Sequence, residues 1–135
     1  MGTLVSSERP AALRARRVLV VEDEALIAMM LEDELAEAGA EVVGTAATVG
    51  EALRLAGAAL ADGGLDVAVL DMELDGEDVA PVADALAAAG VPFLFHTGYD
   101  EGRDRGRHGA APVLAKPLGS PRLLAALEGL VAAPR

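Results

Sequence analysis

Apolar positions along this chain fall into two rhythms. Short unbroken runs, Val18-Leu19-Val20-Val21, Val67-Ala68-Val69-Leu70, Phe93-Leu94-Phe95 and Val113-Leu114-Ala115, are separated by longer stretches in which apolar residues recur every three or four positions. An unbroken run is what a strand covered on both faces requires, and the three-to-four spacing is the stripe of a helix with one buried side. The chain therefore predicts strands alternating with helices.

In order, Val18–Val21 is the first strand, and Ala25–Ala38 is a helix with Ile27, Met30, Leu31, Leu35 and Ala38 inward and Glu32, Asp33 and Glu37 outward. Gly39 stops it. Glu41–Ala46 reads as a second strand, and Thr48 with Glu51 forms a capping box that opens a helix running to about Ala61. Asp62-Gly63-Gly64 is a turn, after which the third strand delivers Asp71 at its carboxyl end. A loop through Gly76 leads to a helix over Asp78–Ala89 with Val79, Val82, Ala83 and Leu86 inward. Pro92–His96 is the fourth strand and exits into Thr97-Gly98-Tyr99. Asp100–Gly109 lacks apolar periodicity, so a helix there is expected to be short or irregular. The fifth strand, Val113–Ala115, exits into Lys116-Pro117. Ser120-Pro121 opens a last helix that buries Leu123, Leu124, Leu127, Leu130 and Val131.

Right-handed crossovers between such strands place helices on both faces of one parallel sheet, and the simplest arrangement is the flavodoxin-like doubly wound α/β fold of order 2-1-3-4-5. Residues 1–16 hold Pro10, paired serines and scattered arginines and are expected to form a flexible arm, leaving residues 17–133 as the single domain.

Composition narrows the function. The formal charge is −11, and the amino-terminal seventeen residues hold four arginines against Glu8, so the folded part is strongly acidic. Such a body does not attract nucleic acid through its general field; it suits cations or basic partner surfaces. Cysteine is absent, no apolar run is long enough to span a membrane, and the amino terminus lacks an apolar secretory core. A cytoplasmic setting is expected.

The chemistry-bearing residues all fall at strand exits. Glu22-Asp23-Glu24 follows the first strand, Asp71 the third, Thr97 the fourth and Lys116 the fifth. Adjacent acids repel, and a divalent cation relieves that repulsion. One or two of these acids are equally suited to cap the following helix, Asp23 or Glu24 being the candidates. An aspartate can attack phosphorus if the oxygen charge is neutralised. Mg²⁺ prefers octahedral oxygen ligation with several retained waters. Asp23 and Asp71 are its side-chain candidates, with Glu22 acting through water and the main-chain carbonyl of Glu73 just beyond the nucleophile. Thr97 can donate to a phosphoryl oxygen, and Lys116, the only lysine among eleven basic residues, supplies a point charge aimed by Pro117.

These residues together resemble the response-regulator receiver domain of bacterial two-component signalling over roughly Val18–Val131. Pro92-Phe93-Leu94-Phe95-His96-Thr97-Gly98-Tyr99-Asp100 further resembles the Pro-Phe-x-Phe-Ala-Thr-Gly-U-Tyr signature of the FAT GUY subgroup, with His96 in place of alanine and Asp100 in place of the last tyrosine. The resemblance implies Mg²⁺-dependent transfer of a phosphoryl group from a histidine kinase to Asp71. Receivers usually carry an aromatic residue three positions before the lysine, where this chain has Val113, so Tyr99 or the 100–109 segment is the expected reporter of phosphorylation.

The leading expectation is thus a stand-alone phospho-accepting protein, not an enzyme beyond its own phosphorylation and dephosphorylation, that signals through an unidentified protein partner or drains phosphate from a kinase. A phosphorylation-independent adaptor and a phosphatase of the haloacid-dehalogenase type are the alternatives. The latter needs a second aspartate where Asp71-Met72-Glu73 has Glu73. The face from the fourth strand to the last helix is the expected surface for a weak homodimer. His96 is expected to be half-exposed and His108 to lack a partner. Asp75 and Glu77 are expected to shape the loop beside the site or to meet a partner.

Overall fold

The computed structural model describes residues 12–97, 108–115 and 120–132. Its elements run β1 (Arg17–Val21), α1 (Ala25–Glu37), β2 (Glu41–Ala46), α2 (Val49–Ala61), β3 (Val67–Asp71), β4 (Glu73–Leu74), β5 (Glu77–Asp78), α3 (Ala80–Ala88), β6 (Phe93–Thr97), β7 (Val113–Ala115) and α4 (Ser120–Ala132). Five strands form one parallel sheet in the order β2-β1-β3-β6-β7. Counted among the long strands alone this is the expected 2-1-3-4-5 order, with β6 and β7 as the fourth and fifth. The short β4 and β5 make a separate antiparallel pair, Glu73 opposite Asp78 and Leu74 opposite Glu77.

Two apolar layers sandwich the sheet. Alternate residues of each central strand feed opposite layers, as a pleated strand requires. Leu19, Val21, Ala68, Leu70, Phe93 and Phe95 join α2 and α3 on one face. Val18, Val20, Val67, Val69 and Leu94 join α1 and α4 on the other.

Local chemistry explains most boundaries. Thr48 accepts the N–H of Glu51 at the start of α2, and Glu51 Oε1 accepts the N–H of Ala47 at 2.9 Å, completing the capping pair one residue earlier than the box predicts. Gly39 ends α1 at a φ of 87°, where a side chain would be strained. The turn before β3 is tied to the start of β1 by Arg17, whose Nε and Nη2 donate to the carbonyls of Gly64 and Asp62, each at 2.7 Å.

Four expectations are corrected. Met30 is 44% exposed, because α1 turns Ala28, Leu31 and Leu35 into the core instead. Neither Asp23 nor Glu24 caps α1: the N-cap residue, Glu24, makes no side-chain capping bond. The third helix begins at Ala80 rather than Asp78, because Asp78 is drawn into the β4–β5 pair and its Oδ1 accepts the N–H of Ala80 at 2.8 Å. Finally, the described end of the expected flexible arm is packed: Leu13 is buried among the α1–α4 layer, and the N–H of Ala15 reaches the carbonyl of Gly39 at 2.8 Å. The expected short or irregular helix at 100–109 lies outside the described residues except for its last two positions.

Candidate functional site

A parallel sheet brings all its strand exits to one edge, and the register here is specific. Val18 pairs with Val67 and Val21 with Leu70, so the residue following β1, Glu22, comes level with Asp71. Asp71 pairs in turn with His96. Alternation continues the Val18, Val20 series to Glu22, the Val67, Val69 series to Asp71, and the Leu94 position to His96. Glu22, Asp71 and His96 therefore form one polar row across three neighbouring strands, on the face that carries α1 and α4. All three are buried, as is Thr97, one residue further along β6.

Asp23 joins the row from the turn after β1. Oxygens of Glu22, Asp23 and Asp71 lie within 4.8 Å of one another. Each acid is oriented by its surroundings. Glu22 Oε2 accepts the N–H of Glu24 at 2.9 Å, and Glu22 Oε1 lies 3.1 Å from Nε2 of His96. Asp23 Oδ2 accepts the N–H of Asp75 at 2.8 Å. Asp75 and Gly76 both adopt positive φ, 47° and 86°, and that tight bend turns the amide of Asp75 towards the acids. Met72 and Leu74, both buried, anchor the bend beneath.

Three close carboxylates, two of them buried, concentrate negative charge at this edge of the sheet. Oxygen donors so gathered fit a hard divalent cation, which both neutralises and bridges them.

The structure thus brings together Glu22, Asp23 and Asp71 and sets Thr97 at the same edge. Glu73 lies in β4, immediately past the row. Lys116, Pro117, Tyr99 and Asp100 lie outside the described residues. Two features went unread in the sequence. His96, expected to be half-exposed, is 0% exposed and sits in the row itself, a placement set by the register of β6 against β3. The amide of Asp75 is the other, and no side-chain pattern could reveal it. His108 also departs from expectation: its Nε2 lies 2.7 Å from Oδ1 of Asp84 on α3, and its ring meets Phe93 edge-on at 5.3 Å. Asp75 and Glu77 act as loop-shaping residues, the latter accepting the N–H of Val49 at 3.4 Å.

A family model described as the response regulator receiver domain matches residues 18–128. The chain belongs to the response-regulator receiver family. It is 36% identical over 118 residues to the transcriptional regulatory protein PdtaR of Mycobacterium tuberculosis, covering 84% of this chain and 55% of that protein. It is also 36% identical over 91 residues to the phyllosphere-induced regulator PhyR of Methylorubrum extorquens, covering 67% of this chain and 34% of PhyR. The chain thus spans about half the length, or less, of these curated relatives. Among solved structures, the solution structure of SdrG from Sphingomonas melonis Fr1 superposes with a TM-score of 0.68 at 48% identity, covering 86% of this chain and 97% of that one. A BeF3-activated conformation of SdrG, from Pseudomonas melonis Fr1, gives 0.69 at 45% identity over 85% of this chain and 98% of that one. Among the described residues no helix is long and apolar enough to cross a membrane.

Proposed function

We propose that this receiver accepts a phosphoryl group on Asp71 from a phosphohistidine of a histidine kinase, in the cytoplasm, in a reaction that requires Mg²⁺. The observation that carries this reading is the convergence of Glu22, Asp23 and Asp71 at the exits of neighbouring strands. Asp23, Asp71 and the carbonyl of Glu73 would hold the cation, with Glu22 engaging it through water. When bound, Mg²⁺ neutralises phosphoryl oxygens and so lowers the barrier to attack by an anionic carboxylate.

This chain's own residues do the rest. An oxygen of Asp71 forms a bond to phosphorus while the phosphorus–nitrogen bond of the donor breaks, and the departing imidazole retains the electron pair and takes a proton. Thr97 donates a hydrogen bond from its hydroxyl to a phosphoryl oxygen, and Lys116 contributes a positive charge that offsets the phosphoryl group's. The product is an acyl phosphate on Asp71. The altered charge is read by a protein partner. Val113 packs against the α2–α3 layer and has no ring to turn inward, so the report falls to Tyr99 and the segment after it. His96 and Asp100 make the chain a divergent relative of the FAT GUY subgroup. SdrG, a similar chain, has a BeF3-activated conformation, which supports treating this site as responsive to a phosphoryl analogue.

Intact mass after incubation with acetyl phosphate and Mg²⁺ tests the proposal. One added phosphoryl group is expected in the wild type and none in Asp71→Asn or with chelator. No adduct under any donor favours the adaptor alternative, and steady release of phosphate without accumulation favours a phosphatase.

A further inference from the structure

His96 is a titratable residue at a fully buried strand position. Its side chain is 0% exposed, and along the same face of β6 its neighbour is the core residue Leu94. Neither ring nitrogen completes an aligned hydrogen bond among the described residues. A buried polar group in that state lowers stability, and where one persists it usually serves a site. Among the described residues its charged neighbour is Glu22, with Nε2 3.1 Å from Oε1.

That contact is made over a distance. Glu22 follows β1 and His96 lies on β6, with β3 between them. Adjacent strands are about 4.8 Å apart, so backbones two strands apart stand about 10 Å from one another. Two long side chains close this gap by reaching across the strand whose residue in the row is the shorter Asp71. The donor atoms that converge are those of the three acids, so the imidazole stands beside the cation pocket rather than within it.

We propose that His96 is a positioning residue for this pocket: by engaging Glu22 Oε1 across Asp71 it fixes the carboxylate that Glu24 holds from its other oxygen, and so strengthens binding of a divalent cation. The inference rests on reading the acidic trio as a cation site. Outer partners of this kind orient the groups that meet the metal, and their loss typically weakens binding about 10–100-fold.

The test is a double-mutant cycle on Mg²⁺ affinity, measured on the full chain by NMR titration of the backbone amides of Glu24 and Asp75. His96→Leu keeps the buried volume and removes the nitrogens, whereas His96→Gln returns an N–H donor. His96→Leu is expected to weaken Mg²⁺ binding by about tenfold or more, and His96→Gln to recover most of it. In a Glu22→Ala background, His96→Leu should change affinity by less than about twofold. An unchanged affinity in His96→Leu, an equal loss in both backgrounds, or a glutamine variant as weak as the leucine one overturns the proposal. If the wild type itself binds no Mg²⁺, the cation-site reading falls and takes this one with it; if the wild type binds and His96→Leu binds equally well, only the role of His96 falls. Should His96→Leu not fold, the ring-nitrogen shifts of His96 decide: they must move on adding Mg²⁺ to the wild type and stay still in Glu22→Ala, and the converse result refutes the coupling.

Discussion

The N–H of Asp75 donates to Oδ2 of Asp23 at 2.8 Å, joining the bend after β3 to the acidic turn after β1 across 52 residues of sequence. The bend depends on Gly76, whose φ is 86° and whose missing Cβ would meet nothing within 4 Å. Gly76→Ala is therefore a backbone change without a clash. It should cost about 1–2 kcal/mol in urea unfolding, the penalty of a left-handed conformation for an L-residue. Mg²⁺ affinity should fall with it, because the amide that orients Asp23 moves. An alanine variant as stable as the wild type would show that the bend is not held in this conformation.

Cation binding should register as stability. Folding brings Asp71 up to the adjacent pair Glu22-Asp23, so like charge is more crowded in the native state than in the unfolded chain. Mg²⁺ at about a hundred times its Kd should raise the unfolding free energy by about 2.7 kcal/mol. Asp71→Asn should lose that gain and, in chelator, be no less stable than the wild type, since it removes one of the repelling charges. Identical melting curves with Mg²⁺ and with chelator would remove the basis for the cation pocket.

Leu13 precedes the first strand yet is 1% exposed in the α1–α4 layer. Leu13→Ala should destabilise the fold by about 2–5 kcal/mol, the range for a buried leucine whose cavity does not collapse. A change below about 0.5 kcal/mol is the behaviour of a surface position and would mean that this turn does not belong to the core.

Neighbouring positions on α1 make a paired comparison. Met30 is 44% exposed and Leu31 is 3% exposed. Met30→Ala should stay within about 0.5 kcal/mol of the wild type, whereas Leu31→Ala should cost about 2–5 kcal/mol. Equal losses would restore Met30 to the buried stripe that periodicity alone suggests.

The strands and the residues at their exits were legible in the sequence because each depends on a local pattern. Val67–Leu70 is unbroken because both faces of β3 are covered, and an acid directly after such a run, Asp71, has only the strand end to occupy. Helix faces were less legible. The spacing around Met30 and Leu31 fits two adjacent stripes, and the line of contact with the sheet chose the one through Ala28, Leu31 and Leu35. The pair β4–β5 also escaped, because two-residue strands carry no period.

By itself, then, the sequence determined the alternation of strands and helices, the acidic character of the chain, and the position of Glu22, Asp23 and Asp71 at strand exits, since those properties reside in neighbouring residues. Tertiary structure alone decided that Glu22, Asp71 and His96 share one row, that His96 is buried against an acid rather than half in solvent, and that the amide of Asp75 orients Asp23. Each of those facts is set by the register of parallel strands and by a backbone bend, and so by contacts between residues from 25 to 74 positions apart whose local sequence carries no trace of the pairing.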